Sequence, residues 1–196
     1  LSALACAILV GGQQLVAGDL KDIIFDNQNV IIGQYAYYNN VFIESSNVYS
    51  DNSIIDIVGK FNVNNSGGIK IAKSNLNVGG EANFNNSVVE LNNNSTAIFE
   101  NEVNLTFPYL HIINNSTAVF NKKLKIIDVG DDGWSIIEKD NDFSGGGLSL
   151  DNNSTLDIEG EAEFYDTNVL INHGSTAKID NLNDTGSKIY VVNDSK

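Results

Sequence analysis

The sequence predicts an all-β fold, a right-handed parallel β-helix, on three observations. Seven short motifs end in Ser53, Ser74, Ser95, Ser116, Ser154, Ser175 and Ser195, at intervals of 21, 21, 21, 38, 21 and 20 residues. Apolar pairs with a polar residue between them recur at fixed offsets from each Ser. The stretches between the pairs are rich in Gly, Asn, Ser and Asp. A fixed period near 21 residues marks a solenoid, whose repeats bury their apolar faces only against one another.

The elements follow in order from each Ser. Two and four residues on stand Ile55/Ile57, Leu76/Val78, Ala97/Phe99, Ala118/Phe120, Leu156/Ile158 and Ala177/Ile179. This period-two alternation is that of a strand with one buried face. Eight and ten residues on, Phe61/Val63, Ala82/Phe84, Val103/Leu105, Leu124/Ile126 and Ala162/Phe164 predict a second strand. Six and four residues before the Ser, Val89/Leu91, Leu110/Ile112, Leu148/Leu150, Val169/Ile171 and Ile189/Val191 predict a third. In the Ser74 repeat this pair, Ile69/Ile71, sits one residue closer, so a turn there is shorter. The Ser175 repeat loses its second pair, with Leu182 one place early. Ile23, Phe25 and Ile31 hold the phase of an earlier, degraded coil. Coils stacked about 4.8 Å apart would make a rod roughly 35 Å long.

Stacking explains the asparagines. Identical side chains above one another form amide ladders. Asn94, Asn115 and Asn153 share one turn column, and Asn62, Asn83 and Asn104 share an outward strand column. Lys60 over Glu81 and Glu102 over Lys123 are complementary.

The NNST turns, the Gly67-Gly68, Gly79-Gly80 and Gly145-Gly146-Gly147 steps and the three-strand coil resemble the β-helix passengers of bacterial autotransporters and related surface adhesins. The resemblance covers residues 23–195 and is one of architecture. It implies an extracellular, secreted surface protein used for adhesion or structure, with host surfaces or glycans as partners. The chain departs from that pattern in being short and in lacking a membrane barrel.

The net charge is −14, from 25 acidic and 11 basic residues. Such a surface disfavours nucleic acid and anionic membranes as partners. The single cysteine, Cys6, rules out an intrachain disulfide.

Residues 1–22 are apolar, rich in small residues and outside the repeat, leaving a solenoid domain over 23–196. Residues 3–10 and a small-residue site before Asp19 fit a signal peptide, without a basic leader. The segment is too short for a stable membrane span, which needs about 20 apolar residues. The third reading is a retained cap or assembly clasp, using Leu1, Leu4, Ile8, Leu9, Val10, Leu15 and Val16. At the other end the sequence stops partway through a coil, in phase with the repeat. Val191 and Val192 would then face a further chain, giving a head-to-tail homopolymer.

The 38-residue interval holds an insertion at about 127–144, with the only Trp, Trp134, and an acidic run. Within it Asp140, Asp142 and Ser144 alternate, Gly145 stands sixth and Asp151 twelfth. The spacing resembles a calcium-binding loop with Asp in place of the last Glu, so calcium is the one cofactor the sequence suggests. The competing reading is a solvated acidic loop.

Catalytic patterns are weak. One outward column reads Asp56, Asn77, Ile98, Val119 and another Glu90, His111, neither giving a paired acid and base. His111 and His173 occupy different places in the repeat and read as surface histidines. The expectation is a non-enzymatic protein. Eleven Asn-x-Ser/Thr acceptor patterns, at Asn64, Asn85, Asn93, Asn94, Asn104, Asn114, Asn115, Asn152, Asn153, Asn183 and Asn193, are candidate glycosylation sites.

Overall fold

The computed structural model describes residues 8–10, 21–107, 109–127 and 147–196. It is an all-β parallel solenoid, in which three lines of strands run up the rod. The first line begins at Ile8–Val10 and ends at Lys188–Val191, by way of Gly68–Ala72, Val88–Asn92, Tyr109–Ile113, Gly147–Asp151 and Asn168–Ile171. The second holds Asn75–Val78, Thr96–Phe99, Thr117–Phe120 and residues 155–158 and 176–179. The third runs from Ile23–Asp26 through Val41–Glu44, Phe61–Asn64, Ala82–Asn85, Val103–Thr106 and Lys123–Ile127 to residues 161–165 and 181–185. Every pairing among them is parallel.

The inward columns are those the repeat predicts. Phe61, Ala82, Val103, Leu124 and Ala162 stack in one column, and Val63, Phe84, Leu105, Ile126 and Phe164 in the next, all of them buried. Phe84 meets Phe61 edge-on at 5.3 Å, and Phe99 stacks on Phe120 at 5.0 Å. The 38-residue interval preserves register. Thr117 pairs with Thr155 and Ile112 with Leu150, so the added residues leave the coil stack unbroken.

The turns account for the NNS motif. Asn93 and Asn94 have φ of 55° and 62°, and Asn114/Asn115 and Asn152/Asn153 repeat the pair. Two consecutive left-handed residues suit Asn, whose short side chain tolerates that region better than most. In the Ser53 and Ser74 repeats a single residue, Asn52 or Lys73, is left-handed. That is the shorter turn the Ile69/Ile71 spacing predicts.

Two expectations about the strands need correction. Ile31 pairs with Tyr49 on the outward side and is 41% exposed, while Val30 and Ile32 are buried. Leu182 keeps its column: a register shift between Ile158 and Glu161 sets it opposite Ala162. Ile8–Val10, within the non-repeat N-terminal segment, pairs with residues 30–32 and adds a strand to the first line. Among the described residues, no helix is long and apolar enough to cross a membrane. That says nothing about strands.

Candidate functional site

The most ordered polar chemistry lies along the corner between the first and second lines, where the anchoring serines stack. Ser53, Ser74, Ser95, Ser116, Ser154 and Ser175 are all buried. The N–H of Ser53 donates to Ser74 Oγ at 2.9 Å, Ser74 N–H to Ser95 Oγ at 3.3 Å and Ser95 N–H to Ser116 Oγ at 3.2 Å. Ser116 and Ser154 continue the chain, to Ser154 Oγ and Ser175 Oγ. Each hydroxyl still has a proton to give. Ser74, Ser95 and Ser154 pass it to the carbonyls of Ala72, Asn92 and Asp151 in their own turns. A hydroxyl that both donates and accepts carries no cost of burial. Ser is therefore the residue this corner needs, and the buried oxygens are held in the ladder.

The outward asparagines behave alike. Asn83 Nδ2 donates to Asn62 Oδ1 at 3.0 Å, and Asn104 Nδ2 to Asn83 Oδ1 at 3.2 Å. The turn ladder is displaced by one place from the expected column. Asn114 Nδ2 donates to Asn92 at 2.8 Å, Asn152 to Asn114 at 3.0 Å, and Asn193 to Asn172 at 2.7 Å. Asn94, Asn115 and Asn153 instead use their backbone N–H groups, bonded to the carbonyls of Asn114, Asn152 and His173.

Charged groups also pair between coils. Lys60 lies 3.8 Å from Glu81 and Lys70 3.1 Å from Glu90. Lys123 turns to Glu163 at 2.7 Å and Glu161 at 3.6 Å, so the expected pairing with Glu102 is not the one formed. Its hydrogen bond holds the Glu163 carboxyl below the usual range and raises Lys123. In the first predicted outward column, Asn77 donates to Asp56 Oδ1 at 2.6 Å and Tyr35 to Asp56 Oδ2 at 2.8 Å. Each oxygen of that carboxylate thus accepts one hydrogen bond. The column continues to Asp157, which Lys178 meets at 3.2 Å.

His111 stacks between Glu90 and Ser149 and is half-buried, not a free surface histidine. Burial lowers its pKa, against the pull of Glu90. His173 is exposed, and its Nδ1 lies 2.6 Å from Asp151 Oδ1. The two histidines share no site.

Of the calcium set, Asp140, Asp142 and Ser144 lie outside the described residues, as does Trp134. Asp151 is in the first-line strand and its carboxylate is turned to His173. Among the described residues, no group of three or more His, Cys, Asp or Glu is placed to hold a metal ion. Of the assembly set, Leu1, Leu4, Leu15 and Val16 lie outside the described residues, Ile8, Leu9 and Val10 form the first strand, and Val191 and Val192 are exposed.

The glycosylation patterns divide by amide chemistry. The Nδ2 groups of Asn64, Asn104, Asn114, Asn152 and Asn193 already donate to neighbours. Asn85, Asn93, Asn94, Asn115, Asn153 and Asn183 are exposed. Sequence reasoning missed two outward apolar pairs on the first coils, Ile31 opposite Tyr49 and Tyr35 opposite Ile54, each residue more than 40% exposed. Within residues 35–38, Ala36 and Tyr38 take the inward places opposite Ile55 and Ile57, which turns Tyr35 and Tyr37 outward.

Comparison with protein-family models, with curated proteins and with solved structures finds no match for this chain.

Proposed function

We propose that this chain is a non-enzymatic structural rod of an extracellular fibre or surface coat, assembling end to end by stacking coil on coil. The observation that carries this reading is where the polar groups point. Among the described residues, the serine, asparagine and ion-pair ladders bind each coil to the next, so these polar side chains are engaged in holding the rod together. An enzyme needs groups held ready for substrate, with their bonding capacity open.

End-to-end growth has its own support. Leu182, Ile189 and Val191 stand in the inward columns yet are more than 40% exposed. A further coil in register, from this chain or from a second copy, would cover them. Exposed edges of this kind invite strand addition, and head-to-tail contacts generate filaments when the rotation does not close.

A second reading, a surface adhesin that binds glycans, is favoured by the outward Tyr35–Tyr37 pair, stacked at 6.5 Å, with Ile54 opposite Tyr35. Aromatic faces of this kind suit sugar rings. A glycan array tests it, and loss of binding on Tyr35→Ala/Tyr37→Ala would support it.

Negative-stain microscopy of residues 1–196 tests the structural reading. The expected result is filaments of uniform width, lost on deletion of residues 1–18. A monodisperse monomer at high concentration would overturn it.

A further inference from the structure

Six of the eleven acceptor patterns fall in three turns. In each, the sequence Asn-Asn-Ser-Thr carries two overlapping patterns: Asn93/Ser95 with Asn94/Thr96, Asn114/Ser116 with Asn115/Thr117, and Asn152/Ser154 with Asn153/Thr155. The fold separates them. Ser95, Ser116 and Ser154 are buried, and their hydroxyls accept the N–H groups of Ser74, Ser95 and Ser116. Asn114 and Asn152 also commit their side-chain amides to the ladder. The second pattern of each turn is open. Asn94, Asn115 and Asn153 are exposed and left-handed, at φ of 62°, 59° and 57°, and bind the next coil through their backbone N–H groups. Thr96, Thr117 and Thr155 pair with one another in an outward, partly exposed column, while Ala97, Ala118 and Leu156 beside them are buried.

We propose that Asn94, Asn115 and Asn153, each with its Thr, are the N-glycan acceptors of the folded rod, for a sugar activated as its diphosphate. This rests on the extracellular reading above. Transfer joins Nδ2 to C1 of the sugar, breaks the bond between C1 and the diphosphate oxygen, and releases the amide proton with the leaving group. It needs an amide at a turn and a hydroxyl two residues on, both within reach of the transferase. The patterns outside these turns each fail on one count. Ser87, two residues after Asn85, is buried. The amides of Asn64, Asn104 and Asn193 are bonded to neighbours. Asn183 lies within a strand, opposite Glu163. The acceptor column spans three coils and ends where Lys73 on one side and His173-Gly174 on the other replace the asparagines.

The test uses residues 1–196 made without glycans, a soluble N-glycosyltransferase and a hexose carried on a nucleoside diphosphate. Intact mass counts the hexoses added, and peptide mapping places them, on the folded chain and on peptides cut from it. The peptides are expected to accept at both patterns of each turn, and the folded chain at Asn94, Asn115 and Asn153 alone. Thr96→Ala/Thr117→Ala/Thr155→Ala should abolish transfer to the folded chain. The same three changes to Ser should retain it, with circular dichroism confirming that both variants are folded. No transfer to the folded wild type, transfer to any other Asn of the folded chain, or transfer that survives the triple Ala change would overturn the assignment. The filament experiment uses unmodified chain, so the assembly reading stands or falls separately.

Discussion

The N–H of Ser53 donates to the Oγ of Ser74, 21 residues on in sequence and one coil along the rod, at 2.9 Å. The same bond joins the anchoring serines of successive coils as far as Ser175. Stability at this corner comes from a hydroxyl that satisfies a buried N–H of the previous coil and a carbonyl of its own turn.

Ser95→Ala is therefore expected to cost about 1–3 kcal/mol, because it leaves the buried N–H of Ser74 without an acceptor. Urea denaturation followed by circular dichroism measures it. Ser66→Ala, at an exposed turn position, should change stability by under about 0.5 kcal/mol. Equal effects at the two sites would contradict the ladder.

Phe84→Ala is expected to cost about 3–5 kcal/mol, since the ring is buried and packs edge-on against both Phe61 and Phe99. Phe107→Ala serves as the comparison, because that ring is 40% exposed. A loss at Phe107 as large as at Phe84 would show the wrong columns to be inward.

Gly160 sits where a Cβ would overlap the carbonyl oxygen of Lys122. Gly160→Ala should destabilise by about 1–3 kcal/mol through overpacking at the corner that sets the register of residues 161–165. Gly33→Ala meets no atom and should be tolerated. Thermal melts of the two variants give the comparison directly.

Much of the fold was legible because the serine anchors and the inward pairs are periodic in both hydrophobicity and position. What was missed follows from local exceptions. Ser50 is buried at an inward position, while Tyr49 beside it faces out, so hydrophobicity alone inverts that strand. Ile31 faces out for the same reason, being the middle of three aliphatic residues in a row. Leu182 looked misplaced because a one-residue deletion is absorbed at the corner before Glu161, which sequence spacing does not reveal. The polar ladders were legible as columns, but their donors were not. Which asparagine of an NNS turn extends its amide depends on the left-handed turn geometry, and this shifted the ladder from Asn94 to Asn92 and Asn114. The candidate calcium loop was legible only as spacing. Its one described member, Asp151, is engaged by His173.

Burial lowers the pKa of His111 below its ordinary value, so the unfolded chain binds a proton there more readily than the folded one. Stability then rises with pH through this group and falls as pH drops below about 6.5, the ordinary histidine value. Urea denaturation at pH 7.5 and 5.5 should show wild type losing more stability between them than His111→Gln. An equal loss in both proteins would remove His111 as the cause.

The central claim is that the chain stacks in a single register, so that residues far apart in sequence share one outward column. Ile54, Asn75, Thr96, Thr117, Thr155 and Thr176 form such a column, with five steps between its ends. Spin labels at Ile54→Cys and Thr176→Cys, in a Cys6→Ser background, should give one narrow distance distribution by double electron–electron resonance. Its centre is expected near 24 Å, at about 4.8 Å per step, broadened only by the label arms. A broad distribution, or one centred beyond about 40 Å, would contradict the stacked register and everything built on it.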